Sequence, residues 1–371
     1  MNMLCGDVII LHDTGGQPYY EAIEHLKKKG DISSLVYLES SVFFLLARFI
    51  VKKNFNIKNL RRVINNLVFR VSLPFVKNKT IIMGMGPYDF RFFFYSLLAY
   101  KNTLIYQTSW PYWWSNNVPR RYWFFTSFAK NAIKYCIENR PFKVVCVSRA
   151  AYDTLCSQLS PAACKKVSII PHCINTAVFK PGRKWGGEFR VNGKFNILFV
   201  GRLVKSKGIP LIVELISLAP PDLFCFTVVG DGPMLSFLKE KYEAATNVHI
   251  TGPIRNKNDL ASVYADADVL LVPSVRNKRW EELFGIVVIE GLSSGSVVIA
   301  SNHVGPNEIL DDGVTGFLVS DQVEACHYFR IINKLRSDKK LFSGLSNSAT
   351  QASEKYSIET VSESWMQLLS N

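Results

Sequence analysis

The sequence predicts an α/β protein built from two Rossmann-like halves, each around a parallel sheet. Three observations predict it. Apolar runs of strand length alternate with helical periodicity along the chain. The alternation breaks at Pro171–Lys194, where Pro181, Gly182, Gly186, Gly187 and Gly193 cluster, and then restarts. The chain has 371 residues, more than one ordinary core organises.

In the first half, Asp7–His12 reads as a strand, Asp13–Pro18 as a turn around Gly15 and Gly16, and Tyr19–Lys29 as a helix. Ser34–Leu38, Thr80–Met83, Thr103–Tyr106 and Val144–Val147 read as further strands, and residues 41–70 as helical. In the second half, Phe195–Val200 (FNILFV) is a buried strand. Helices over Gly208–Leu218, Met234–Ala244, Asp259–Ala265 and Val287–Ser294 then alternate with strands Phe224–Val229, Val248–Thr251, Val269–Val272 and Val297–Ala300. The resulting division is residues 1–177, 178–357 and a terminal segment 358–371.

Composition narrows the function classes. Hydrophobic residues make up 48% and charged residues 20%, a globular balance. No run reaches the roughly 18–20 apolar residues of a membrane span. The chain shows no signal-peptide pattern, so the expectation is a cytoplasmic protein. Eight cysteines are scattered without a CxxC pair or zinc-ligand spacing, and read as reduced, mostly buried thiols. Charge is uneven. Residues 1–180 hold 24 Lys and Arg against 9 Asp and Glu, a net +15, whereas residues 181–371 hold 20 against 21. The basic half is expected to meet something anionic: nucleic acid, acidic lipid or a phosphorylated acceptor. Its helical region 41–70 carries Lys52, Lys53, Arg61 and Arg62 among Phe, Leu, Ile and Val, a mixture that suits the surface of an anionic membrane.

Two constellations carry chemistry. In Gly201-Arg202-Leu203-Val204-Lys205-Ser206-Lys207-Gly208 a strand ends, Gly201 permits close backbone approach, and a helix opens beyond. A helix N-terminus favours anions, and Arg202 and Lys207 flank the turn, so a diphosphate fits there. In Glu282-Leu283-Phe284-Gly285-Ile286-Val287-Val288-Ile289-Glu290, free amides near Gly285 suit phosphate or sugar oxygens. Glu290 sits in an apolar run where an unpartnered carboxylate is costly, and such a carboxylate can accept both hydroxyls of a ribose. Glu282 is placed to reach a sugar. Loops at Gly230, at Pro253-Ile254 and at His303–Glu308 also follow strands, where ligands of open parallel sheets sit.

Taken together, GRLVKSKG, VVGDGP, ITGPI, DVLLVPS, ELFGIVVIE and HVGPNEILDDGVTGFLV closely resemble the family-4 glycosyltransferases, over about Phe195–Val319. IIPHCINTAVFKP and CVSRAAYDTL also look like that family. The first half is similar only through its Gly15-Gly16 turn and strand–helix order. The resemblance implies a GT-B fold of two facing Rossmann-like domains, with a C-terminal helix from about Ile358 packing back on the first. It implies a UDP- or GDP-sugar donor in the second domain and an acceptor on the basic first domain. Arg202 and Lys207 would hold the diphosphate and Glu290 the ribose. Glu282 would touch the donor sugar, and the amides around Phe284, Gly285 and Ile286 would assist. Pro253 and Ile254 would lie against the base. Transfer would retain the anomeric configuration without a metal or other cofactor. Asp266-Ala267-Asp268 imitates a metal-binding pair, yet it lies between a helix and a strand and reads as a structural turn.

The sequence departs from the family in two places. A histidine common after a middle strand of the first domain is absent, and Gln107 and Ser109 occupy that stretch, with His12-Asp13 at the end of the first strand as an alternative. The glycine usual after the first glutamate is Leu283. The aromatic run Trp110-Pro111-Tyr112-Trp113-Trp114 reads equally as a surface for a sugar or isoprenoid acceptor and as a core plug. Two other readings stand beside glycosyl transfer to a glycan or lipid-linked acceptor. One is a GT-B-fold sugar-nucleotide epimerase, which needs no acceptor. The other is nucleic-acid binding through the basic half, which no recognised motif accompanies.

Overall fold

The computed structural model describes residues 5–13, 19–39, 57–115, 126–182, 190–277 and 280–370. Gly15, Gly16, Lys52, Lys53 and the linker glycines Gly186 and Gly187 lie outside the described residues, as does the side chain of Arg62.

The chain forms two compact units. The first combines Met1–His172 with Val361–Asn371, and the second is Cys173–Thr360. The first unit runs β1 (Cys5–His12), α1 (Glu21–Lys29), β2 (Ile32–Glu39), α2 (Ile57–Ser72), β3 (Thr80–Gly84), α3 (Arg91–Tyr95), β4 (Thr103–Thr108), α4 (Thr126–Asn139), β5 (Lys143–Cys146), α5 (Arg149–Cys156), α6 (Pro161–Cys164) and β6 (Val167–Ile169). The second runs β7 (Phe195–Val200), α7 (Ile209–Leu218), β8 (Phe224–Val229), α8 (Leu235–Lys241), β9 (Val248–Gly252), α9 (Lys257–Ala265), β10 (Val269–Val272), α10 (Ile286–Ser293), β11 (Val297–Ser301), α11 (Val304–Ile309), β12 (Gly316–Val319), α12 (Ala325–Ser337) and α13 (Lys339–Ser353). A last helix, α14, spans Ile358–Ser370.

Both sheets are parallel and six-stranded, in the orders β2-β1-β3-β4-β5-β6 and β12-β11-β10-β7-β8-β9. Helices cover parallel strands on both faces, so such strands read as unbroken apolar runs. Every residue of β8 (FCFTVV) and of β10 (VLLV) is buried accordingly. Strand order reverses beside β1 in the first sheet and beside β7 in the second. These are the positions where open α/β sheets leave a crevice at their carboxyl ends.

The C-terminal residues tie into the first unit. Val361 and Trp365 are buried. Ser362 Oγ donates to the Ala22 carbonyl at 3.2 Å, and Lys143 Nζ donates to the Leu368 carbonyl at 2.7 Å. The helix expected over 234–244 is shorter than its periodicity suggests. It ends before Tyr242, whose hydroxyl is held on the Val213 carbonyl at 3.4 Å. The division at 177/178 falls five residues after the boundary at His172/Cys173.

Candidate functional site

In the second unit the turn after β7 is built by close backbone approach. Gly201 N donates to the Val229 carbonyl at 3.0 Å, and Leu203 N to the Asp231 carbonyl at 2.9 Å. A Cβ at Gly230 would overlap the Gly201 carbonyl, and one at Gly232 the Leu203 carbonyl. Only glycines let the turns after β7 and β8 stack this way. Gly208, with φ of 80°, opens α7 against the end of β10, where a Cβ would strike the Pro273 carbonyl. Three cations emerge from this turn, Arg202, Lys205 and Lys207. Arg202 is exposed, and among the described residues no side chain pairs with it. Lys207 is ion-paired with Glu282, their side chains 21% and 14% exposed, and its Nζ lies 4.8 Å from the centre of the Trp280 ring.

The turn before α10 meets the same place. Gly285 caps α10 with φ of 90°. Gly305, in α11, packs flat on the Phe284 backbone, and its N–H donates to the Glu282 carbonyl at 3.0 Å. Glu282 is further fixed by His303. This imidazole is buried, and its Nδ1 accepts the Glu282 N–H at 3.1 Å. A neutral ring accepting at Nδ1 carries its proton on Nε2. Nε2 faces Asp321 Oδ2 at 3.3 Å, in contact though not aligned as a hydrogen bond. Burial holds His303 below the usual imidazole range, against the pull of Asp321 and with Arg276 helping. Beside it, Arg276 Nη2 pairs with Glu281 Oε1 at 2.8 Å, and burial raises the Glu281 carboxyl.

Glu290 lies on the fifth residue of α10, half-buried, and Oε2 accepts the Tyr264 hydroxyl at 2.7 Å. Tyr264 is fully buried, and burial followed by the Glu290 charge drives its hydroxyl well above the phenol range. The carboxylate is thus oriented by a neutral donor. Pro253 is exposed and Ile254 half-buried after β9, and Gly230 stands half-buried after β8. Arg202, Lys207, Glu282, Phe284, Gly285, Ile286 and Glu290 are therefore all at the carboxyl end of one sheet, around its reversal point. Cations, helix-end amides and two oriented carboxylates there suit a ligand with both anionic groups and hydroxyls.

Asp268 has a structural task. Its Oδ2 accepts the Asn196 N–H at 2.8 Å, and its Oδ1 pairs with Arg190 at 3.2 Å. Among the described residues no group of three or more His, Cys, Asp or Glu is placed to hold a metal ion.

In the first unit, strand register sets His12, Gly84 and Gln107 side by side across β1, β3 and β4. Gly84 makes room for them, because a Cβ there would require the His12 ring and the Tyr20 hydroxyl to move. Burial lowers the His12 pKa. Gln107 is buried and Ser109 half-buried. Asp13, next to His12, lies beside them, and sequence reasoning missed its partner Arg91. Asp13 Oδ2 accepts the Gly86 N–H at 3.2 Å, and its Oδ1 pairs with Arg91 at 3.1 Å. Arg91 also grips the buried Asp89. The aromatic run divides. Trp113 is a core plug against Tyr88 and Tyr106, and Trp114 Nε1 is tied to the Leu155 carbonyl at 2.9 Å, while Trp110 and Tyr112 stay half-buried.

Residues 187–352 match the family model described as glycosyl transferases group 1. A Klebsiella pneumoniae protein of 41.2 kDa from the cps region is 39% identical over 127 residues, 34% of this chain and 33% of that one. The lipopolysaccharide 1,2-N-acetylglucosaminetransferase of Salmonella typhimurium is 25% identical over 225 residues, 57% of this chain and 58% of that one. These alignments span between a third and three fifths of the relatives' own lengths. Among solved structures, Anabaena HepE in complex with UDP-glucose superposes with a TM-score of 0.69 at 17% identity, covering 98% of this chain and 99% of that one. This likeness is one of GT-B fold.

Proposed function

We propose that this chain, whose residues 187–352 belong to the glycosyl transferases group 1 family, moves a sugar from a UDP- or GDP-sugar to a glycan or lipid-linked acceptor. Transfer retains the anomeric configuration, needs no metal, and serves surface polysaccharide or glycolipid synthesis. One observation carries the reading: two cations, a capped helix end and two oriented carboxylates converge at the reversal point of the second sheet.

The roles follow from the chemistry. Arg202 and Lys207 neutralise the diphosphate as charge grows on it during departure. The amides around Phe284, Gly285 and Ile286 meet sugar and phosphate oxygens. Glu290, held by Tyr264, accepts the ribose hydroxyls. Glu282 addresses the donor sugar, and Pro253 and Ile254 meet the base. His12, Gln107 and Ser109 line the acceptor side. The names of relatives in lipopolysaccharide and cps-region contexts support the acceptor class. The net +15 of residues 1–180 supports an anionic membrane surface as partner, at its cytoplasmic face.

The test is label transfer from a panel of UDP- and GDP-sugars to a membrane lipid extract, with and without EDTA, and proton NMR of the product anomer. The reading expects acceptor-dependent transfer, indifferent to EDTA, with the donor's anomeric configuration kept. An inverted product contradicts retention. Conversion of the nucleotide sugar without acceptor selects the epimerase instead.

A further inference from the structure

Helix α2 carries apolar residues on both of its sides, which is unusual for a water-facing helix. Its inward side carries Val63, Asn66, Phe69 and Arg70. The two polar residues there are spent on β2: Asn66 Oδ1 accepts the Glu39 N–H at 2.9 Å, and Arg70 Nη2 donates to the Glu39 carbonyl at 2.6 Å. The outward side carries Ile64, Leu67, Val68 and Val71, and Phe75 continues the stripe in the next turn. Val71 is 78% exposed and Phe75 81%. The spacing is that of one helix face, here pointing away from the core.

A second outward stripe follows β3. Phe90, Phe93, Phe94, Leu97 and Tyr100 recur at helical spacing over α3 and the 3-10 turn after it, and all are exposed. Between the end of α2 and the second stripe lies a cavity of about 420 Å³, walled by Arg70 and Leu73 on the α2 side and by Arg91, Tyr95 and Leu98 with the stripe residues Phe94 and Leu97 on the other. Apolar patches of this kind are rare on monomeric soluble surfaces. The flanking charge is mostly basic. Residues 57–79 and 90–101 contain eight Lys and Arg and no Asp or Glu, and of the eight Lys79 is ion-paired with Asp7 and Arg91 with Asp13 and Asp89. A protein partner of ordinary mixed charge does not call for that bias, whereas an anionic bilayer does.

We propose that the outward faces of α2 and α3 form one surface that seats on an anionic lipid bilayer, with the cavity between them receiving a hydrocarbon chain. This inference deepens the membrane part of the proposed function and gives it a place. The aromatic and aliphatic side chains enter the acyl boundary, while the exposed Arg61 and Lys77 stay at head-group level.

The test is flotation of the full chain with phosphatidylcholine vesicles, alone or containing phosphatidylglycerol, in parallel with calorimetric UDP binding. Variants are Val71→Glu and Phe94→Glu, both at exposed positions outside the second unit. The wild type is expected to float with the anionic vesicles and far less with phosphatidylcholine alone. Each variant is expected to lose about tenfold in partitioning, since a carboxylate replaces an apolar anchor and is repelled by the lipid. UDP binding stays unchanged in both. Equal flotation of wild type and variants overturns the inference. So does a wild type that stays unbound and instead self-associates through this face, losing its dimer on Val71→Glu. Failure of UDP binding in every sample counts against the donor reading alone, whatever the vesicles show.

Discussion

The pair Lys207–Glu282 gives the sharpest prediction about the donor site. The ammonium and carboxylate are ion-paired, both less than a quarter exposed, with Trp280 beneath the cation. If Lys207 meets the diphosphate, Lys207→Ala removes a charge-assisted bond and also strands Glu282 beside incoming phosphates. The bond alone is worth about 1.5–3 kcal/mol, roughly 10- to 150-fold in UDP affinity. Part of that loss belongs to the stranded carboxylate. Glu282→Gln in the Lys207→Ala background is therefore expected to recover about 1–2 kcal/mol, about 5- to 30-fold. In the wild-type background the same change gains less, because Lys207 already compensates the charge. The assay is calorimetric titration of UDP into the four proteins of the double-mutant cycle. Strict additivity, or Glu282→Gln weakening UDP in both backgrounds, would refute the shared role.

Three further outcomes follow from neighbouring contacts. Glu290→Gln should erase any preference for UDP over 2′-deoxy-UDP, and Tyr264→Phe should weaken UDP by about tenfold through loss of a charged-acceptor hydrogen bond; an unchanged preference contradicts the ribose role. His303→Leu leaves the Glu282 N–H without its acceptor, at about 1–3 kcal/mol, so sugar transfer should fall while UDP affinity stays within about threefold. His172, pushed down to about 4 by burial, is neutral in the fold but takes a proton when unfolded below about pH 6.5. Stability from this group is therefore complete above pH 6.5 and falls as pH drops towards 4, by about 3 kcal/mol in all. Denaturant melts of wild type and His172→Asn should show the variant with the flatter acid limb.

The second half was legible because its motifs are local. Gly201, Arg202 and Lys207 lie within one turn, and Glu282, Gly285 and Glu290 within another, so short-range spacing already encodes where strand ends meet helix starts. The partners of those residues were not legible. Tyr264 reaches Glu290 from 26 residues away, and His303 reaches Glu282 from 21. Only the fold brings them together, and Tyr264 and His303 look in sequence like ordinary core and loop residues. The same holds for Asp13 and Arg91, 78 residues apart. The edge strands β6 and β12, of three and four residues, are too short to display a period. The basic region showed its charge in sequence. That α2 turns a second apolar stripe outward became visible only once Asn66 and Arg70 were seen holding Glu39.

The proposed function requires a metal-free nucleotide site at the carboxyl end of the second sheet. Calorimetric titration of UDP and GDP into the full chain in EDTA tests it most directly. Micromolar binding of one of the two is expected, abolished in Arg202→Ala. Binding of neither nucleotide, or binding that survives Arg202→Ala unchanged, would contradict it.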